Sequence, residues 1–80
     1  MILKIKDFTI IDKFKIKIVF NNNEIFVVDL THELDGEVFE PLKNYEFFKQ
    51  AYLTKWNVIE WPNGADFAPE FLYEKGQKIS

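Results

Sequence analysis

Apolar and polar side chains alternate most regularly over Lys13 to Phe20, "KFKIKIVF", where Phe14, Ile16, Ile18 and Phe20 fall on one side and Lys13, Lys15 and Lys17 on the other. Period two is the signature of a half-buried strand. Ile2 to Ile11 alternates the same way, with Leu3 and Ile5 opposed to Lys4 and Lys6, until the pattern slips near Asp7, where a bulge or an early end is expected. Glu24 to Leu30, "EIFVVDL", reads as a third strand, but its apolar residues occupy both faces.

Asn21-Asn22-Asn23 joins the second and third strands as a hairpin, because Asn tolerates the positive φ of tight turns. A two-residue turn centred on Asn22 and Asn23 pairs Phe20 with Ile25 and Ile18 with Val27. A three-residue loop pairs Ile18 with Phe26 and puts Phe26 and Val28 in the core. A slip of one residue exchanges the faces. The two-residue turn is the expected form, and it leaves Phe26 and Val28 on the opposite face, against a helix or open to a partner.

Thr31 to Lys43 is punctuated by Gly36 and Pro41 and reads as a long loop with one helical turn around Val38 to Leu42. Asn44 is placed to cap a short helix over "YEFFKQ", with Glu46 in its first turn. Ala51 to Thr54 and Val58 to Trp61 form two more strands around "TKWN". A closing helix has Pro69 and Glu70 in its first turn and ends at Gly76; Phe67, Phe71 and Leu72 should pack it on the sheet. The order is three strands, a short helix, two strands and a helix. That defines an α+β domain with a mainly antiparallel sheet of about five strands, a single domain over residues 1–80.

Composition makes so small a core plausible. Nine Phe, two Trp and three Tyr in 80 residues supply large apolar surfaces. There is no cysteine, which removes disulfides, thiolate metal sites and thiol nucleophiles and suits a reducing, cytoplasmic setting. The alternating N-terminus lacks a signal peptide's apolar run, and no apolar run approaches a membrane span. Net charge is −3, with Lys4, Lys6, Lys13, Lys15 and Lys17 near the start and acids without a lysine from Asp29 to Glu40. The lysines read as a solvated strand face, or, more sharply, as a stripe that contacts phosphates against the opposing global field. The chain contains no arginine and its last helix is short and acidic, so specific DNA binding on its own is not expected.

Catalytic and metal signatures are absent. His32 is the only histidine; "DLTHELDGE" matches neither a zinc site nor a calcium loop, and it reads as a solvated loop. No Ser-His-Asp or Cys-His set can be assembled. No catalytic residue, cofactor or metal is therefore assigned. The densest motif is "WPNGADFAPE". Pro62, Asn63 and Gly64 are turn residues, Asp66 is expected to cap the following helix, and Trp61 and Phe67 to close the core. Alternatively, Trp61, Asn63 and Asp66 form a recognition patch for a protein partner.

Four features together resemble a small bacterial family, the domain of unknown function 2442: Asp29-Leu30 at a strand end; Gly36, Phe39 and Leu42; Trp61 to Asp66; and Ala68, Pro69, Glu70, Leu72 and Tyr73. Asn23 stands where the family usually has a turn glycine. The resemblance covers essentially the whole chain. It implies a compact α+β domain, sometimes joined to a helix-turn-helix, whose members lie beside another small protein in what look like toxin–antitoxin pairs. No catalytic residues carry over.

Three functions are thus open: an interaction module, antitoxin-like in form; a small-ligand or regulatory domain with a pocket between sheet and helix; and a small enzyme using Asp66, Glu70 or His32. The first is expected. Because "EIFVVDL" needs two covering layers, a homodimer or a heterologous partner is expected to cover Phe26 and Val28.

Overall fold

The computed structural model describes residues 2–80. Strands β1 (Ile5–Asp12), β2 (Lys15–Phe20) and β3 (Ile25–Asp29) form an antiparallel meander. A 3-10 turn (Glu40–Lys43) and helix α1 (Tyr45–Phe48) lead to three two-residue strands, β4 (Tyr52–Leu53), β5 (Ile59–Glu60) and β6 (Asp66–Phe67). Helix α2 (Pro69–Lys75) and strand β7 (Gln77–Lys78) close the fold. The expected α+β class is found. Its strands are shared between a sheet of order β1-β2-β3-β7 and a smaller sheet of order β4-β5-β6, rather than one five-stranded sheet. Phe67, expected with the last helix, lies in β6 and is buried there.

Asn57 joins the two sheets. Its carbonyl accepts the Ile5 N–H at 3.1 Å and its side-chain amide donates to the Ile5 carbonyl at 3.1 Å. The bulge expected near Asp7 is present, as a register shift between Ile5 and Asp7. Asn44 caps α1 as expected, its Oδ1 accepting the Glu46 N–H at 3.0 Å.

One turn design recurs three times. Phe20 and Glu24, Thr54 and Val58, and Trp61 and Ala65 each bracket a three-residue loop. In each, the first residue donates its N–H to the carbonyl four residues on and accepts from the N–H three residues on. The third loop residue is left-handed every time: Asn23 at φ 68°, Asn57 at 62° and Gly64 at 88°. A three-residue hairpin loop is a type I turn closed by one left-handed residue, which Asn and Gly tolerate best.

This loop corrects the expected register. Ile18 pairs with Phe26 and Val19 with Ile25. Phe26 and Val28 therefore point inward and are 5% and 0% exposed. Phe26 meets Phe20 edge-on at 5.2 Å and lies tilted over Tyr73 of α2 at 4.5 Å. The chain's own helix is the layer that covers them, so they offer nothing to a partner.

Phe14 is also left-handed, at φ 58°. That backbone costs a bulky residue about 1–2 kcal/mol. Its carbonyl accepts the Leu30 N–H at 2.7 Å, and its ring sits edge-on to Phe48 at 5.2 Å. Tertiary contacts hold the strained turn.

Gly76 ends α2 as expected, though for a different reason. Its φ is −78°, which any residue adopts. A Cβ at this position would lie 2.7 Å from Val28 Cγ2 and 2.8 Å from the Leu72 carbonyl oxygen. Glycine lets the chain pass between the helix and β3 on its way to β7. Gly76→Ala is expected to cost about 1–3 kcal/mol by overpacking. Pairing it with Val28→Ala should restore only part of that loss, because the Leu72 carbonyl cannot retreat. Chemical denaturation of both variants checks this, and a neutral Gly76→Ala would refute the close approach.

Candidate interaction surface

The "WPNGAD" hairpin is built as structure. Trp61 is fully buried, its indole Nε1–H donating to the Phe48 carbonyl at 2.8 Å and its ring packed between Phe48 and Phe67. Asn63 is exposed, but both ends of its amide are engaged. Its Nδ2 donates to the Val38 carbonyl at 2.9 Å, and its Oδ1 accepts the Ala65 N–H at 3.2 Å. The motif thereby pins the long loop to the small sheet.

Asp66 does not cap α2. The N-cap residue is Ala68, and no side chain caps this end. Asp66 is still extended, paired opposite Glu60 in β6, so the helix starts too late for its carboxylate to reach the free N–H groups. Of the proposed patch, Trp61 is inside and only Asn63 and Asp66 face solvent.

Directly opposed like charges destabilise a strand pair. Asp66→Ala is therefore expected to leave the denaturation midpoint unchanged or slightly raised, within about 0.5 kcal/mol. A loss near 1 kcal/mol would restore a structural role for the carboxylate.

The residues that could carry chemistry are dispersed or structurally engaged. His32 lies exposed in the turn after β3, Glu70 on the exposed side of α2, and Asp66 in the small sheet. The most perturbed carboxylate is Glu24, at the edge of the core. It accepts from Lys78 Nζ at 2.7 Å and, through Oε1, from the Tyr73 hydroxyl at 2.5 Å and the Asn22 amide at 2.5 Å. Lys78 first, then Tyr73 and Asn22, stabilise the anion and pull its pKa from 4.5 to about 2. The same contacts raise the Lys78 and Tyr73 values. This network fastens α2 and β7 to the start of β3.

A carboxyl with a lowered folded-state pKa stabilises the fold above its unfolded value, and that stabilisation is lost as pH falls through the folded value. Glu24 should therefore make stability fall between pH 4.5 and about 2. Glu24→Gln should flatten the pH dependence within that window. Denaturation curves collected across acid pH would show it, and parallel profiles for the two proteins would remove Glu24 from the account.

The uncovered surface is the other face of the large sheet. Residues opposed across the strands share a face. Asp7, Val19 and Ile25 form one row; Thr9, Lys17, Val27 and Gln77 the next; Asp12, Lys15 and Asp29 the third. Ile79 lies beside Ile25, to whose carbonyl it donates at 2.8 Å, and is 57% exposed. Val19, Ile25 and Val27 are half-buried by their neighbours and lie off the core that α2 and α1 cover. The result is an apolar stripe bordered by lysines. A separate exposed aromatic, Trp56, is 70% exposed at the β4–β5 turn, with the Lys55 ammonium 4.7 Å from its ring centre.

Sequence reasoning missed Ile25 and Val27 because it chose the other hairpin register. The missing signal was comparative. "NNN", "KWN" and "PNG" each place Asn or Gly third, the position a three-residue loop requires.

These features define a small two-sheet α+β domain with aromatic packing on one face of its main sheet and an open second face. The chain belongs to the family described as "Protein of unknown function (DUF2442)", whose model matches residues 5–78. No curated protein and no solved structure matches it.

Proposed function

We propose that this chain is a non-enzymatic interaction module that binds a protein partner through the outer face of its four-stranded sheet. The observation that supports this is the apolar stripe of Val19, Ile25, Val27 and Ile79, which the chain's own helices leave open. Of the four, Ile79 is exposed and Val19, Ile25 and Val27 are half-buried, so the stripe is a small, partly exposed apolar row of the kind that interaction sites use. The ligand-domain alternative has less support, since the space between sheet and helix is filled by Phe26, Val28, Leu72 and Tyr73. The enzymatic alternative, using Asp66, Glu70 or His32, has less support, since each of the three is exposed and no group of three or more His, Asp or Glu side chains is gathered among the described residues.

The face spans about 15 Å across four strands and about 16 Å along them. That area lies well below the roughly 800 Å² per partner of a stable interface. A segment of another protein therefore suits it better than a second copy. A cytoplasmic setting fits the cysteine-free sequence, and no helix among the described residues is long and apolar enough to cross a membrane. The family resemblance alone suggests the finer, antitoxin-like role beside a neighbouring gene product.

The test is purification of the native complex, identification of its second component by mass spectrometry, and reconstitution from purified proteins. A 1:1 complex whose hydrogen-exchange protection falls on β1, β2, β3 and β7 supports the module, and protection confined to the smaller sheet refutes the proposed face. Recovery of the chain alone, monomeric by ultracentrifugation and without a reconstitutable partner, would sink it.

A further inference from the structure

We infer that the occupant of this face is an acidic amphipathic segment, one that lays apolar side chains on the Val19–Ile25–Val27 stripe and directs carboxylates to the lysines beside it. This rests on the interaction-module reading and adds the chemistry of the partner.

The charges argue for it row by row. At one end, Lys15 stands between Asp12 and Asp29, so that row carries one net negative charge and Lys15 has carboxylates on both sides. The remaining face carries Lys17 beside Val27, with Lys4 and Lys6 toward the Asn21–Asn23 turn, against Asp7 alone. None of Lys4, Lys6, Lys15 or Lys17 makes an ion pair among the described residues. Lys6 is instead held over the turn by donating to Asn23 Oδ1 at 3.1 Å. Asp7 accepts the Phe8 N–H at 2.9 Å and makes no ion pair among the described residues. The free cations thus flank apolar residues, and a complementary occupant has carboxylates flanking an apolar row.

Range decides between a short acidic segment and a nucleic acid. The whole chain is net negative, at −3, and has no arginine. A long polyanion experiences that total field and lacks the bidentate contacts that arginine provides. A short segment experiences mainly charges within a Debye length, about 8 Å at physiological salt, where the lysines dominate. One helix is about 10 Å across, which fits within the roughly 15 Å between Thr9 and Gln77.

The test is a nitrogen-15 amide titration of the full chain with three probes. The first is a 14-residue amphipathic helix with Leu on one face and Glu on the other. The second is its Lys-for-Glu counterpart, and the third a 20-base single-stranded DNA. The acidic peptide is expected to give saturable shifts centred on Lys17, Val19, Ile25 and Val27. Its affinity should fall at least tenfold with Lys17→Glu and, independently, with Val27→Ser; retained shift dispersion verifies that both variants fold. Equal binding of the two peptides, shifts centred elsewhere, absence of binding, or tighter binding of the DNA each overturns the inference. The native partner separates this failure from that of the module: a reconstituted complex protected on the outer face of the four-stranded sheet, with no saturable binding of the acidic peptide, keeps the module and removes the acidic-segment reading.

Discussion

Trp61→Ala is expected to lose about 3–5 kcal/mol of stability, the usual range for truncating a buried tryptophan. The side chain is fully enclosed and bridges elements distant in sequence, with Phe48 of α1 at 5.5 Å between ring centres and Phe67 of β6 at 5.8 Å. Truncation opens a cavity where the small sheet meets α1 and removes the indole donor from the Phe48 carbonyl. An 80-residue domain commands only about 4–12 kcal/mol in total. The variant should therefore lose a large share of its stability, with a midpoint far below the parent's. Trp61→Phe, which keeps the ring and loses the hydrogen bond, should cost less. Calorimetry or denaturant titration reads both. A folded Trp61→Ala with a midpoint near the parent's would show that the "WPNGAD" turn is held by something other than its tryptophan.

Phe26→Lys and Val27→Lys should have opposite outcomes although the residues are adjacent. At Phe26 the substitution deletes a ring packed against Phe20 and Tyr73 and places an ammonium in an apolar layer. The packing loss alone is about 3–5 kcal/mol, and the unpaired charge adds to it. The expected protein is unfolded or aggregated. At Val27, half-buried on the open face and directly opposite Lys17, the same change should cost only about 1–2 kcal/mol, from lost packing and the opposed like charge, so the protein stays folded while partner binding weakens. Amide spectra of the two variants distinguish the registers at once. A well-folded Phe26→Lys beside a collapsed Val27→Lys would restore the two-residue turn, with Phe26 outside.

That pair of variants also marks the boundary of what could be read from the chain. The three long strands and both helices were legible because "KFKIKIVF" alternates with a period of two, Asn44 and Pro69 mark helix starts, and Asn or Gly marks three of the four hairpin turns; the Lys13–Phe14 turn and the short strands β6 and β7 were not. The bulge at Asp7 was visible as a break in alternation. The hairpin register was not, since Ile25, Phe26, Val27 and Val28 are all apolar and either face could be buried. Three consecutive asparagines permit both loop lengths.

The candidate site was misplaced for the same reason. Once the register shifts by one residue, the inward and outward sets exchange, and a surface argued around Phe26 and Val28 moves to Ile25 and Val27. Asp66 illustrates a second limit. A carboxylate shortly before Pro69 looks like a cap, but whether the chain is still extended there depends on Asp66 pairing with Glu60 across a turn.

Local chemistry in the sequence thus determined the α+β class, the positions of the Asn and Gly turns though not their lengths, the α1 cap and the family. Those features depend on contacts within a few residues: side-chain alternation, φ preference, and the free N–H groups of a helix end. Tertiary structure decided which face of the central sheet is buried, how the strands divide between two sheets, and that Gly76 is required for space rather than for left-handed backbone. Each of these depends on groups distant along the chain competing for the same apolar layer. Phe26 enters the core because Tyr73 and Gly76 arrive to receive it, and no pattern within β3 records that arrival.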